Sequence, residues 1–240
     1  MKKLLAFMFM GLVLFSCSKD DSPSTNNTTA EPLATAPVAK AENDASSTGV
    51  YKGVFVGSTG ILSVYVKNGD DKITAVLRVD GKNIAFTAPT AGIVKDQPIV
   101  GLTFTSSEGH SFKLNVLADG SDYSIAEIAI AGHPNASIDL IKEKSNQLVR
   151  CYEGTYASNK DATNKGTFNM ILSGNLLKGL AKSGEGVTYL KGEASDKNVA
   201  GTSGGDKGYF SGAISGDNIS GTFSNADQTD TGTWSGKRTL

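Results

Sequence analysis

Ile73-Thr74-Ala75-Val76-Leu77-Arg78-Val79-Asp80, followed by Gly81, is the stretch that decides the fold. Apolar side chains stand at 73, 75, 77 and 79. A period of two puts them on one face of an extended strand, because successive Cβ atoms alternate sides. Asp80-Gly81 then ends the run with residues that tolerate the positive φ of a tight hairpin. The same pattern recurs outward in both directions. Phe112-Lys113-Leu114-Asn115-Val116 alternates cleanly, and turns are marked by Asn68-Gly69-Asp70-Asp71, Asp119-Gly120, Ser173-Gly174-Asn175 and Ser215-Gly216-Asp217-Asn218. Short strands at this spacing predict an all-β, antiparallel meander. Only Ile138 to Gln147 reads as a candidate short helix.

The meander is written twice. Tyr51-Lys52-Gly53-Val54-Phe55 matches Tyr152-Glu153-Gly154-Thr155-Tyr156, and Phe112, Val116 and Asp119 share their spacing with Phe210, Ile214 and Asp217. The halves, 49–143 and 148–240, each hold about eight candidate strands, enough to close a small barrel and remove its edges. Two small eight-stranded barrels or two strongly curved sheets are both consistent with this. Large apolar residues fill 33 of 95 positions in the first half and 22 of 93 in the second. Since a fully buried large side chain contributes about 1.5–3 kcal/mol, the glycine-rich second half is expected to be a thin, curved sheet leaning on the first half or on a ligand.

The N-terminus reads differently. Met1-Lys2-Lys3 is a basic start, and the apolar run Leu4 to Phe15 is too short to span a bilayer core, which takes about 20 residues. That combination fits a secretory signal over residues 1–16. Leu14-Phe15-Ser16-Cys17 resembles the lipobox of bacterial lipoproteins, which implies cleavage before Cys17 and acyl chains on that cysteine. Cys17-Ser18-Lys19-Asp20-Asp21 resembles the Cys-x-Lys-acid-acid signal of Bacteroidetes-type surface lipoproteins. In that reading Lys19, Asp20 and Asp21 direct export, and the mature chain sits on the outer membrane facing outward. One acyl chain holds a protein only marginally, so two or three on Cys17 are the anchor. Residues 17–48, rich in Ser, Thr, Asn, Ala and Pro, are expected to be a disordered tether with a reach of about 30 Å.

Composition narrows the function. The net charge of −1 becomes −3 once Lys2 and Lys3 leave with the signal. No basic stripe is present, which argues against nucleic acid as a partner. With Cys17 lipidated, Cys151 has no disulfide partner. It aligns with Val50 in the repeat and is expected to pack as a small hydrophobe rather than act as a nucleophile.

His110, in Glu108-Gly109-His110, is expected at an exposed hairpin tip, and His133, in Gly132-His133-Pro134-Asn135, in a turn. Neither has zinc-like spacing to another ligand. Asp70-Asp71 and Asp119-Gly120-Ser121-Asp122 carry enough oxygens for calcium but lack the EF-hand pattern, so they read as solvated tips. Trp234, Tyr209 and Phe210 are core candidates that could instead form a stacking platform for sugar.

Gly232-Thr233-Trp234 resembles the Gly-x-Trp of lipocalin and wider calycin barrels. In lipocalins that motif lies in the first strand, whereas here it is in the last, and the likeness covers one strand. It implies architecture only. The expectation is a noncatalytic surface binding module with no cofactor and no metal, whose partner is a protein, glycan or small molecule. The alternatives are a carrier of small apolar ligands, with its cavity in the better-filled first half, and a hydrolase of unrecognised type.

Overall fold

The structure, a computed structural model, describes residues 33–56, 60–184 and 186–240. The predicted strands are there, eight to each half. The first half comprises β1 (Gly49–Val56), β2 (Gly60–Val66), β3 (Ile73–Val79), β4 (Lys82–Thr87), β5 (Ile99–Ser106), β6 (Ser111–Val116), β7 (Ser124–Ala129) and β8 (Ser137–Glu143). The second comprises β9 (Val149–Ser158), β10 (Lys165–Ser173), β11 (Leu176–Ser183), β12 (Gly186–Ala194), β13 (Asn198–Ser203), β14 (Gly208–Ser215), β15 (Asn218–Asn225) and β16 (Thr231–Arg238).

The first half is an antiparallel sheet in the order β7-β6-β5-β4-β3-β2-β1-β8, nearly closed, and the second is a closed barrel in which β9 pairs with both β10 and β16. The two motifs that announced the repeat fall on equivalent strands. Tyr51 and Tyr152 are fully buried in the first strand of each half, and Phe112 and Phe210 are buried in the sixth.

Closure of the second half corrects the expectation of a thin sheet. Glycine here is what lets the barrel close around rings. A Cβ added to Gly212 would lie 2.4 Å from the Trp234 ring, and one added to Gly221 would lie 2.6 Å from it. The indole occupies the space that side chains on β14 and β15 would otherwise take.

Three apolar cores result. The first sheet wraps Phe86, Phe104 and Phe112, with Phe104 stacked on Phe112 at 4.8 Å. The barrel encloses Phe168, Phe210 and Trp234. Between them lies a third cluster in which Val54, Ile61 and Ile141 of the sheet meet Val149, Cys151 and Ile171 of the barrel. The Asn169 amide donates to the Phe55 carbonyl across this seam at 2.8 Å.

The seam explains two departures from the sequence reading. β1 is buried at every position because Tyr51 and Phe55 face its own sheet while Val54 faces the barrel. On β8, Leu140 points into the first core and Ile141 into the third. A strand buried on both faces loses its alternation. That is why Ile138 to Gln147 reads as a helix and is instead strand Ser137–Glu143 followed by a turn.

The disordered tether also needs correcting where residues are described. Residues 38–48 form an ordered strap containing a 3₁₀ turn, Ala41–Asn43. Asn43, Ser46, Ser47 and Thr48 are buried despite their polarity. Hydrogen bonds offset much of that cost: the Thr48 hydroxyl donates to Asn43 at 2.7 Å, and Asp44 accepts from the Ser145 backbone at 2.8 Å and hydroxyl at 2.7 Å. Composition alone misses this because the partners of the strap lie some hundred residues away.

Lys142 closes the strap from below. Its ammonium donates to the Thr48 carbonyl at 2.6 Å and sits 4.6 Å from the centre of the Tyr51 ring. Burial pushes its pKa down from 10.5 to about 8. The unfolded chain keeps this proton up to its ordinary pKa, so between the two values the unfolded state binds more protons and stability rises with pH. Denaturant melts at about pH 7 and about pH 9.5 should show a gain of about 1–2 kcal/mol at the higher pH. In Lys142→Met that gain should be absent.

Candidate functional site

The antiparallel order gives the barrel two unlike ends. The turns joining β10 to β11, β12 to β13 and β14 to β15 cluster at one end. There Leu172, Leu177, Ala194, Val199, Ile214 and Ile219 are all buried and fill the bore. At the other end, Asn164, Lys207, Asn225 and Asp230, in or beside the loops after β9, β13 and β15, rim a cavity of about 280 Å³. Below the rim its walls are Tyr156, Phe168, Met170, Leu190, Phe210, Phe223 and Trp234.

The rings are held by one another. Phe168 and Phe210 approach Trp234 edge-to-face at 5.5 and 6.3 Å, and Tyr156 meets Phe223 at 5.7 Å. Such geometry suits the ring quadrupoles and fixes the wall before any ligand arrives. The indole N–H of Trp234 donates to the Thr222 carbonyl at 3.0 Å, so the polar atom of the largest ring is already satisfied. What Trp234 offers the cavity is apolar surface.

The rim is polar and partly committed. The Asp230 carboxylate accepts from the Ser158 hydroxyl and, at 2.6 Å, from the Asn164 amide, while its backbone N–H donates to the Asn225 side chain at 2.9 Å. These bonds tie together the loops after β9 and β15. Lys207 is exposed at the mouth, and among the described residues no carboxylate pairs with its ammonium.

The other candidates lie elsewhere. Cys151 packs in the third core, its thiol donating to the Gly53 carbonyl at 3.9 Å, and burial pushes its pKa up to about 12. A thiol held protonated in this way is a hydrophobe rather than a nucleophile. His110 is not the exposed tip residue expected: it is buried, and its Nδ1 accepts from the Ala131 backbone N–H at 3.1 Å. The hairpin composition around His110 gave no hint that the segment at 131 folds over it.

His133 lies in a turn as expected, with Nε2 3.0 Å from the Asp80 carboxylate and its ring against Phe55. Asp70 and Asp119 accept hydrogen bonds from the Lys72 and Ser121 backbones within their own turns. Phe210 and Trp234 are core residues that also wall the cavity, whereas Tyr209 is half exposed outside the barrel. Cys17, Lys19, Asp20 and Asp21 lie outside the described residues.

Among the described residues the cavity lies in the second half, whereas the sequence reading expects a ligand space in the first. That half is the richer in large side chains and uses them to fill its interior. The second half has fewer, its inward glycines are covered by the rings of Phe168, Phe210, Phe223 and Trp234, and the cavity lies above those rings. Sequence reasoning missed Lys207, Asn164 and Asp230 for this reason. A run of glycines alternating with aromatics, as in Gly208-Tyr209-Phe210-Ser211-Gly212, was the available signal for a bore lined by rings. No protein-family model matches this chain, and no curated protein or solved structure matches it either.

Proposed function

We propose that this chain is a surface lipoprotein of the outer membrane, anchored by acyl groups on Cys17, whose folded body is a noncatalytic binding module for a small, largely apolar ligand. The observation that carries the binding reading is the aromatic cavity, sealed at one end of the barrel and rimmed by polar loops at the other. Ligand sites are characteristically concave and mostly apolar with a few polar groups at the edge. Among the described residues, Cys151 is protonated in a core and both histidines are bonded within the first half. The anchor reading rests on Met1-Lys2-Lys3, the apolar run to Phe15, and Ser16-Cys17-Ser18-Lys19-Asp20-Asp21. The fatty chains would retain the barrel at the membrane surface while its mouth stays in water.

The chain has a single tryptophan, so its emission reports the cavity directly. Titration of the chain from Ser18 onward, which keeps every described residue, with the neutral probe 1-octanol should give a saturable change in Trp234 emission. Ala181→Phe, which places a ring in the cavity wall, should abolish it while leaving the unfolding midpoint near that of the parent. Saturation that survives Ala181→Phe would place the ligand elsewhere. For the anchor, labelled palmitate should enter the full-length protein and be lost in Cys17→Ala, and protease added to intact cells should remove the folded body.

A further inference from the structure

The rim of the same cavity carries an asymmetry of charge that specifies its ligand further, and the inference rests on the cavity being a binding site. Asp230 is the acidic residue lining it among the described residues, and both of its oxygens already accept hydrogen bonds, from Ser158 and Asn164. These two donors fix the carboxylate at the rim, where it keeps its charge and two acceptor sites. Lys207 is the opposite case: it lines the mouth, and its ammonium has no carboxylate partner among the described residues. Beside it, Thr188 and Ser203 line the cavity, and among the described residues neither hydroxyl is bonded to another side chain. The uncommitted polar groups at the mouth therefore include one cation and two hydroxyls.

Depth supplies the other half of the specificity. Beneath the rim the walls are Phe168, Met170, Leu190 and Trp234, with no polar atom awaiting a partner on the indole. A dry apolar cavity of about 150 Å³ holds one benzene, so a space of about 280 Å³ holds nearly two. That corresponds to an apolar body of about eight to ten carbons. A caged quaternary ammonium would also use aromatic walls, but here the rings are turned edge-to-face onto one another and a lysine guards the entrance.

We propose that the barrel takes a medium-chain carboxylate, tail first, with the apolar body against Trp234 and the carboxylate oxygens at the Lys207 ammonium and the hydroxyls of Thr188 and Ser203. Binding is non-covalent and involves no chemical step. The charge at the mouth sets which head group is retained, and the bore sets the length of the tail.

The test uses three probes with one tail and three head groups: octanoate, 1-octanol and octyltrimethylammonium. Each is titrated against Trp234 emission in the chain from Ser18 onward, and again in Lys207→Gln. An exposed ion pair is worth at most about 1 kcal/mol, so Lys207→Gln should weaken octanoate by about two- to five-fold. It should leave 1-octanol unchanged. The loss should shrink as salt is added, because the pair is exposed. Lys160→Gln removes a lysine whose ammonium is already bonded to the Thr229 carbonyl, and it should leave octanoate binding as it was.

Equal octanoate affinity in the parent and Lys207→Gln would overturn the head-group assignment while leaving the cavity reading standing. Tighter binding of octyltrimethylammonium than of octanoate would overturn it in favour of a cation cage. Failure of all three probes to change the emission would sink the cavity reading itself, and this inference with it.

Discussion

Glu143→Ala should cost about 3–5 kcal/mol of folding stability, the usual consequence of stranding one member of a buried ion pair. Glu143 and Lys52 are 1 % and 2 % exposed, and their charged atoms meet at 2.5 Å. Glu143 does more than pair with Lys52. One of its oxygens accepts from the backbone of Val38 at 2.9 Å and Ala39 at 3.3 Å, and the other also accepts from Val149 at 3.3 Å. One carboxylate thus joins the N-terminal strap, the first sheet through β1, and the first strand of the barrel.

The effect should be asymmetric. Lys52→Met leaves Glu143 with three backbone N–H donors, so its charge stays solvated by the protein. Glu143→Ala leaves the Lys52 ammonium buried with its carboxylate gone. The lysine variant should therefore lose less, about 1–2 kcal/mol, and the double variant Lys52→Met/Glu143→Leu should recover part of the loss from Glu143→Ala. Denaturant midpoints at constant m-value decide this. Equal losses from the two single variants would mean that the backbone donors contribute nothing to holding the carboxylate.

The second large effect is expected at Gly221. An added Cβ would stand 1.9 Å from the Ser211 carbonyl oxygen and 2.6 Å from the Trp234 ring. The carbonyl belongs to the neighbouring strand β14, whose register with β15 is fixed by pairs from Gly208↔Asn225 to Ser215↔Asn218. Neither obstacle is the loose end of a flexible side chain. Overpacking of this kind typically costs about 1–3 kcal/mol and at times more, and Gly221→Ala should fall at or above the top of that range. By contrast, Gly216 lies in the β14–β15 turn at φ 59° with open space around it. Gly216→Ala should cost about 1 kcal/mol, through backbone strain alone. If Gly221→Ala were as mild as Gly216→Ala, the ring would not be resting on the strand.

Those two sites show what the sequence makes legible. Strand positions follow from local rules, because alternation in Ile73–Val79 and the turn residues after it depend only on neighbours. The repeat is legible for the same reason: Tyr51 and Tyr152, or Phe112 and Phe210, keep their spacing because equivalent strands impose it. What depends on contact across the chain is not legible. Ile138 to Gln147 conceals a strand because its second face is buried by the barrel. Ser46, Ser47 and Thr48 look like linker, yet they are buried under a lysine from β8.

The site was hidden by a subtler confusion. A low count of large side chains in residues 148–240 reads as a weak core, and a carrier's cavity is then expected in the richer half. In a closed barrel of eight strands the interior is just wide enough for side chains to fill. Fewer large residues, with glycine beneath the rings, then mean space rather than weakness. Lys207 lies in a Gly204-Gly205-Asp206-Lys207-Gly208 turn that composition marks only as a loop.

The most direct test is to map amide and indole N–H chemical shifts of the ¹⁵N-labelled chain from Ser18 onward as 1-octanol is added. Ligand in the cavity should give saturable shifts confined to that end of the barrel, led by the Trp234 indole N–H and the backbones of Phe168, Ala181, Leu190 and Phe210. Shifts clustered in the first sheet, or none that saturate, would contradict it.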